Sequence, residues 1–480
     1  MIFRRPSARW LLPLLVFGMA LLVRLPDLAS RPIHPDEAGN AHQLAGLLAG
    51  EGYRYLPHDH HGPTLYHLTA AVLRVTGPTH PAEWDIWMLR IFPAVAGAAL
   101  AAGACAWFLP LFGLAPALGA AFFLSLSAPF VYYSGAFIHE SFVVLLLLGW
   151  FAATWRCATH GGVRPALLGG LCAGLLLATK ETGAPLMGLL GLAILVTVRP
   201  PWRRIGEALS VGGAVALAIV LFFYSDFGRH PERAFDLFSA IGQQVGRSQG
   251  TEHAYPWFTY GQWFLAPAPV GWPWSTWALL GFGGLGLLDN RRETLARALA
   301  LGFVLLTSFF SILPYKTPWL ILAPLLPLAL LASLGAAGLV ARLHERRQVG
   351  LALAAGLIVV GLLATETTAR CLRQAVASGN PLAYSPGSTD LARLETDLAA
   401  RAAATPGRPL LVQVVARDYW PLPWTLRRYS AGYWPEPPAK LQAGLIVVEP
   451  AYLAEFAEPG LTFTPYEVRP GLTLFLAHIR

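Results

Sequence analysis

Charge is what this sequence has least of. Only 13% of its 480 residues are Asp, Glu, Lys or Arg, while 55% are hydrophobic, and soluble proteins carry about 25% charged residues. Together with a mean hydropathy of +0.50, that shortage excludes an ordinary soluble domain. Cysteine is scarce as well. Cys105, Cys157, Cys172 and Cys371 form no CxxC pair, which excludes a disulfide framework and a zinc ribbon. A basic stripe interleaved with aromatics is also missing. The net charge of +8, from 35 Lys+Arg against 27 Asp+Glu, therefore does not signal nucleic acid.

Apolar runs fill the space left by charge. A segment of about 20 apolar residues crosses a bilayer, and about eleven candidates occur. They lie at residues 10–25, 88–109, 111–130, 141–155, 166–179, 184–198, 205–224, 262–288, 294–313, 319–340 and 349–364. The first lacks a small-residue cleavage site and reads as a retained span. Arg4/Arg5, Arg156/Arg164, Arg203/Arg204, Arg291/Arg292 and Arg346/Arg347 fall on alternate connections, which places those connections in the cytoplasm. The expectation is an all-α polytopic protein of the cytoplasmic (inner) membrane, with its N-terminus inside. Residues 1–364 form the transmembrane part, and residues 365–480 form a small extracytoplasmic α/β domain. In that tail, 390–404 reads as a helix, and 410–415, 445–448 and 472–478 read as strands.

The polar clusters all fall on the outer side. A first long loop, residues 27–87, opens with Pro32-Ile-His-Pro-Asp36-Glu37 and contains short helical patterns at 37–48 and 63–75, suited to the membrane interface. Carboxylates at a membrane boundary are costly in lipid and belong in water or a polar cavity. Asp36 and Glu37 are thus candidates for a general base or a metal-plus-base pair, since adjacent acids shift each other's pKa. The plainer alternative is a helix N-terminus, where the dipole favours acids.

His58-Asp59-His60-His61 could ligate a divalent ion, or could be loop histidines that contact water or substrate. Glu252 and His253 could join it from the second long loop, residues 226–261. His139-Glu140 follows the third span, and Lys180-Glu181 the fifth. Lys180 and Lys316 stand on the outward side against the usual cation bias, which suits an anionic headgroup. Arg229, Arg233 and Arg247 are alternative cations.

These features together resemble the GT-C superfamily of membrane glycosyltransferases, of the family-39 kind that includes protein O-mannosyltransferases and the aminoarabinose transferases of lipid A. The resemblance rests on four segments. Asp36-Glu37 after the first span looks like the first acidic motif, and Tyr133-Ser-Gly-Ala-Phe-Ile-His139-Glu140 looks like the second. Ala178-Thr-Lys180-Glu181-Thr182 and Tyr315-Lys-Thr-Pro-Trp319 resemble bacterial and archaeal members.

The resemblance implies transfer of a sugar from a polyprenyl-phosphate donor to a protein, lipid or glycan acceptor outside the cytoplasm, with inversion. Asp36 would receive or orient the acceptor's proton, with Glu37 in support. Lys180, Lys316 or Arg247 would offset charge on the departing phosphate. His139, Glu140, His58, Asp59, His61, Glu181, Glu252 and His253 would contact substrate or metal. A divalent ion (magnesium, manganese or zinc) on Asp36 and Glu140 is the candidate cofactor. The competing classes are a lipid-linked sugar flippase and a non-catalytic assembly subunit. A flippase would favour internal repeats and mid-span polar residues, which this sequence does not display.

Overall fold

A computed structural model of the chain describes residues 8–56, 61–248, 253–404, 409–442, 444–457 and 461–479. Two compact units emerge. One comprises residues 1–28, 53–65 and 90–382, and the other residues 29–52, 66–89 and 383–480.

The chain begins with α1 (Ala8–Arg24), α2 (Pro35–Ala49), α3 (Thr64–Thr76) and α4 (Ile86–Phe112). Then come α5 (Leu114–Leu126), α6 (Ala128–Ser134), α7 (Glu140–His160), α8 (Val163–Thr179) and α9 (Gly183–Val198). A continuous stretch, α10 (Trp202–Glu207), a π-helical turn and α11 (Gly213–Tyr224), is followed by α12 (Asp236–Ser248) and α13 (Thr259–Leu265). The helical part closes with α14 (Trp274–Asp289), α15 (Thr294–Ile312), α16 (Leu322–Glu345) and α17 (Val349–Thr367).

Among the described residues six helices are long and apolar enough to cross a membrane, and the bent pair α5–α6, taken as one span, makes a seventh. Three shorter apolar helices, Trp10–Arg24, Val163–Thr179 and Gly183–Val198, accompany them. The expected count of about eleven is therefore not reproduced helix by helix. The run expected at 262–288 begins only at Trp274, because Pro267, Pro269 and Pro273 interrupt the chain after α13. Proline can neither donate in the helix ladder nor allow the preceding residue a helical conformation easily.

In the first unit α16 is the buried axis, with 83% of its apolar window enclosed. It approaches α14 through glycine. A Cβ on Gly335 would stand 2.0 Å from the Phe282 carbonyl oxygen, so only glycine permits that spacing.

The 58° bend between α5 and α6 frees backbone groups that lipid could not satisfy. Protein groups take them up. The Ala128 N–H donates to Ser275 Oγ at 3.0 Å, and Thr367 Oγ1 donates to the Leu126 carbonyl at 2.7 Å. Ser275 in turn donates from its backbone N–H (2.5 Å) and hydroxyl (2.7 Å) to Glu366 Oε2. The Arg370 guanidinium lies 3.4 Å from the other oxygen of that carboxylate. This lock fixes α6 and, through it, the chain that leads into α7.

The second unit carries α18 (Asp390–Ala404), α19 (Leu422–Thr425) and a five-stranded sheet. Its strands are β1 (Leu411–Val415), β2 (Ser430–Trp434), β3 (Gly444–Val448), β4 (Thr464–Arg469) and β5 (Leu472–Ile479), in the order β2-β1-β3-β5-β4. β1 runs parallel to β2 and β3, while β5 is antiparallel to β3 and β4. Val415, Ile446, Val448, Tyr452 and Ala477 form its apolar core. The helix and three strands expected in the tail are present, and β2 and β4 complete the sheet. α2 also belongs to this unit, where the Tyr66 hydroxyl donates to Asn40 Oδ1 at 2.8 Å.

Candidate functional site

Helix ends supply the charged groups of the first unit. Glu140 opens α7 and Lys180 closes α8, each at the terminus where the helix dipole favours its sign. The Lys180 ammonium lies 2.5 Å from Glu140 Oε1, and both side chains are buried. Burial alone would lower the lysine's pKa, but the Glu140 charge and hydrogen bond outweigh it and hold it above the ordinary value.

One residue on, Glu181 Oε1 meets His61 Nδ1 at 2.9 Å. Burial pushes the Glu181 carboxyl up, yet His61, and then Lys180, bring it down to about 2. The His61 ring stands edge-on to His139, with centroids 5.2 Å apart.

Glycine brings the His61 segment so close. A Cβ on Gly62 would lie 2.2 Å from the Ala178 carbonyl oxygen, so a side chain there would push His61 away from Glu181. Tyr53 steadies the same segment by donating from its hydroxyl to the His61 carbonyl at 2.7 Å. Arg233 anchors Tyr53 in turn, donating to its carbonyl at 2.7 Å.

A small apolar cleft adjoins this cluster. Glu140 and Thr182 contribute polar atoms, and Val143, Leu186, Phe310 and Trp319 supply apolar walls. α7, α9 and α15 thus share one cavity with a buried carboxylate at its edge.

Lys316 sits apart in role. Its ammonium donates to the carbonyls of Ser311 (3.0 Å) and Leu313, closing the C-terminus of α15, and lies 5.8 Å from the Tyr260 ring centre. Two of its three N–H groups thus have backbone partners. The exposed His253 accepts from the Lys316 N–H through its carbonyl at 3.0 Å, and its ring meets Tyr315 edge-on at 5.4 Å. Arg229 lies 3.7 Å from Asp226. Arg247 falls on α12, but its side chain, like His58, Asp59 and Glu252, lies outside the described residues.

Asp36 and Glu37 belong to the second unit, in the first turn of α2. His34 caps that helix by accepting from the Asp36 N–H at 3.0 Å, while Glu37 Oε2 accepts from the His34 N–H at 3.0 Å. This reciprocal capping box gives the buried Glu37 a structural role. The Asp36 side chain is half exposed. The plain reading of the acidic pair thus describes Glu37, while the Asp36 carboxylate takes no part in that cap.

Among the described residues no three of His, Cys, Asp and Glu are grouped to hold a metal. The charges explain why: Lys180 occupies Glu140, and His61 occupies Glu181. Among the described residues, then, the donor set does not fit a divalent ion.

Sequence reasoning missed the tyrosines. Tyr224, at the end of α11, is fully buried, with Tyr53 and Tyr55 rings 6.3 and 6.5 Å from its own. A hydroxylated residue closing an otherwise apolar span was the available signal.

The sequence matches no protein-family model and no curated protein. Solved structures do match. ArnT from Cupriavidus metallidurans, bound to undecaprenyl phosphate, superposes with a TM-score of 0.69 at 18% identity, covering 97% of this chain and 98% of that one. The apo oligosaccharyltransferase of Archaeoglobus fulgidus gives 0.61 at 12% identity, over 91% and 65%. The same archaeon's AglB, in complex with an inhibitory peptide and a dolichol-phosphate, gives 0.58 at 13% identity, over 92% and 70%. This chain has the GT-C fold. The resemblance drawn from the four sequence segments is thus matched over nearly the whole chain. The buried Glu140–Lys180 pair and the contact of the half-buried His61 with the buried Glu181 both lie in the helical unit.

Proposed function

We propose that this protein is an integral membrane glycosyltransferase that moves a sugar from a polyprenyl-phosphate donor to an acceptor, with inversion. The observation that carries the reading is the buried Glu140–Lys180 pair at the edge of an apolar cleft. A lipid-linked donor presents a phosphate at headgroup level and a hydrocarbon chain to the bilayer. Its enzyme needs a cation and an apolar groove side by side. The structural neighbours solved with undecaprenyl phosphate and dolichol-phosphate support the same donor class.

In this reaction an acceptor hydroxyl attacks the anomeric carbon and a new C–O bond forms. The bond from that carbon to the carrier phosphate breaks, and its electron pair leaves with the phosphate. Lys180 offsets the charge that develops there, with Lys316 and Arg247 as further cations on the outer face. Asp36 takes the acceptor's proton. Its carboxylate is exposed, whereas Glu37 is committed to the cap of α2. The sites lie on the extracytoplasmic side, together with residues 365–480, as the alternation of arginine connections supports.

The test is sugar transfer by the purified protein in liposomes, from undecaprenyl phosphate bearing a labelled hexose. Transfer that depends on Asp36 supports the reading. A wild-type protein that flips the donor across the bilayer without transferring its sugar would return the protein to the flippase class.

A further inference from the structure

Among the buried polar atoms of the first unit that find no hydrogen-bond partner in the described residues, two are joined by a short chain of contacts and point to a ligand. Glu181 is 3% exposed and Tyr224 is 0% exposed. Glu181 Oε2 and the Tyr224 hydroxyl are both without a partner, whereas more than about 90% of buried polar groups in proteins are satisfied. A short chain of contacts connects them. The Tyr224 ring meets Tyr53 at 6.3 Å, the Tyr53 hydroxyl holds the His61 carbonyl at 2.7 Å, and His61 holds the other oxygen of Glu181 at 2.9 Å.

We propose that Glu181 and Tyr224 line the subsite for the sugar of the lipid-linked donor, Oε2 accepting from one sugar hydroxyl and the tyrosine hydroxyl donating to another oxygen of the ring. The inference rests on the glycosyltransferase reading and adds to it where the sugar is held. Three features select this ligand. Consecutive Cα atoms are about 3.8 Å apart, so Glu181 is bound to stand beside Lys180, the residue assigned to the phosphate, and the sugar is bonded directly to that phosphate.

Glu181 already has the His61 ring on one oxygen at 2.9 Å and the Lys180 cation as its chain neighbour. The free oxygen therefore calls for a neutral donor such as a hydroxyl, not for another cation. The rings of Tyr53 and Tyr55, edge-on to Tyr224 at 6.3 and 6.5 Å, add aromatic surface of the kind that suits the C–H faces of a pyranose.

Tyr224→Phe removes a single hydroxyl and keeps the ring. The purified variant is compared with wild type for binding of undecaprenyl phosphate alone, and of undecaprenyl phosphate carrying glucose, mannose or galactose. Thermal unfolding of the ligand-free proteins is recorded in parallel. Affinity for the preferred sugar-bearing carrier should fall about ten-fold, in line with the loss of one hydrogen bond in a polar subsite. Affinity for the bare carrier should not change. The ligand-free variant should melt no lower than wild type, because the hydroxyl it loses had no partner. Equal binding of the sugar-bearing carrier by both proteins would overturn the inference, as would an equal loss for both ligands or a lower melting temperature. A wild type that favours none of the three sugars over the bare carrier would overturn it too. The underlying reading fails separately, if wild type transfers no sugar.

Discussion

Breaking the Glu140–Lys180 pair separates what holds the fold from what handles the phosphate. At 2.5 Å and an effective dielectric of about 20, the Coulomb attraction is roughly 7 kcal/mol before desolvation is subtracted. Removing one partner leaves the other charge buried and uncompensated, at a cost of about 3–5 kcal/mol. Lys180→Met and Glu140→Gln should each lower unfolding stability by about that amount. The double variant removes both charges and should recover most of the loss, since neutral replacements for a buried pair are often tolerated. If Lys180 also offsets charge on the leaving phosphate, the double variant folds but transfers sugar poorly. The assay is denaturant unfolding in detergent micelles, alongside transfer from a lipid-linked donor. Single variants as stable as wild type would refute the energetic reasoning. A stable double variant with normal transfer would refute the role assigned to Lys180.

Asp36→Asn should cut turnover by about 10² to 10⁴-fold with expression intact, the usual contribution of a positioned base, and near-normal transfer would move the base to His139-Glu140. Glu37→Ala should act on stability instead, by about 1 kcal/mol from the lost capping contact, as read by unfolding. The Glu181 carboxyl, held at about 2 against an ordinary 4.5, stabilises the fold by about 3 kcal/mol above pH 4.5. That contribution is lost as pH falls towards 2, so the stability deficit of Glu181→Gln at pH 7 should shrink over that window in acid titrations. A reporter active only in the cytoplasm and fused after Arg480 should stay silent, and a bright signal would reverse the orientation.

What the sequence made legible follows from how local each signal is. The helix at 390–404 coincides with Asp390–Ala404 because its apolar spacing and its acidic first turn act within the segment. β1, β3 and β5 were readable as apolar runs, whereas β2 (SAGYW) and β4 (TPYEVR) are the sheet's two edges. Edge strands tolerate glycine and proline and need no continuous apolar stretch, so they leave little trace in composition. The site divides in the same way. Four polar segments were visible as charges among apolar residues, but charge at a position does not reveal its partner.

Lys180 and Lys316 looked equivalent, two cations at span ends. Lys180 finds Glu140, 40 positions away, while Lys316 turns back on carbonyls within five residues of itself. Only the first is held by a side chain whose charge can be balanced against a ligand's. That difference, a tertiary fact with no sequence signature, is why Lys180 carries the phosphate assignment and Lys316 ranks behind it.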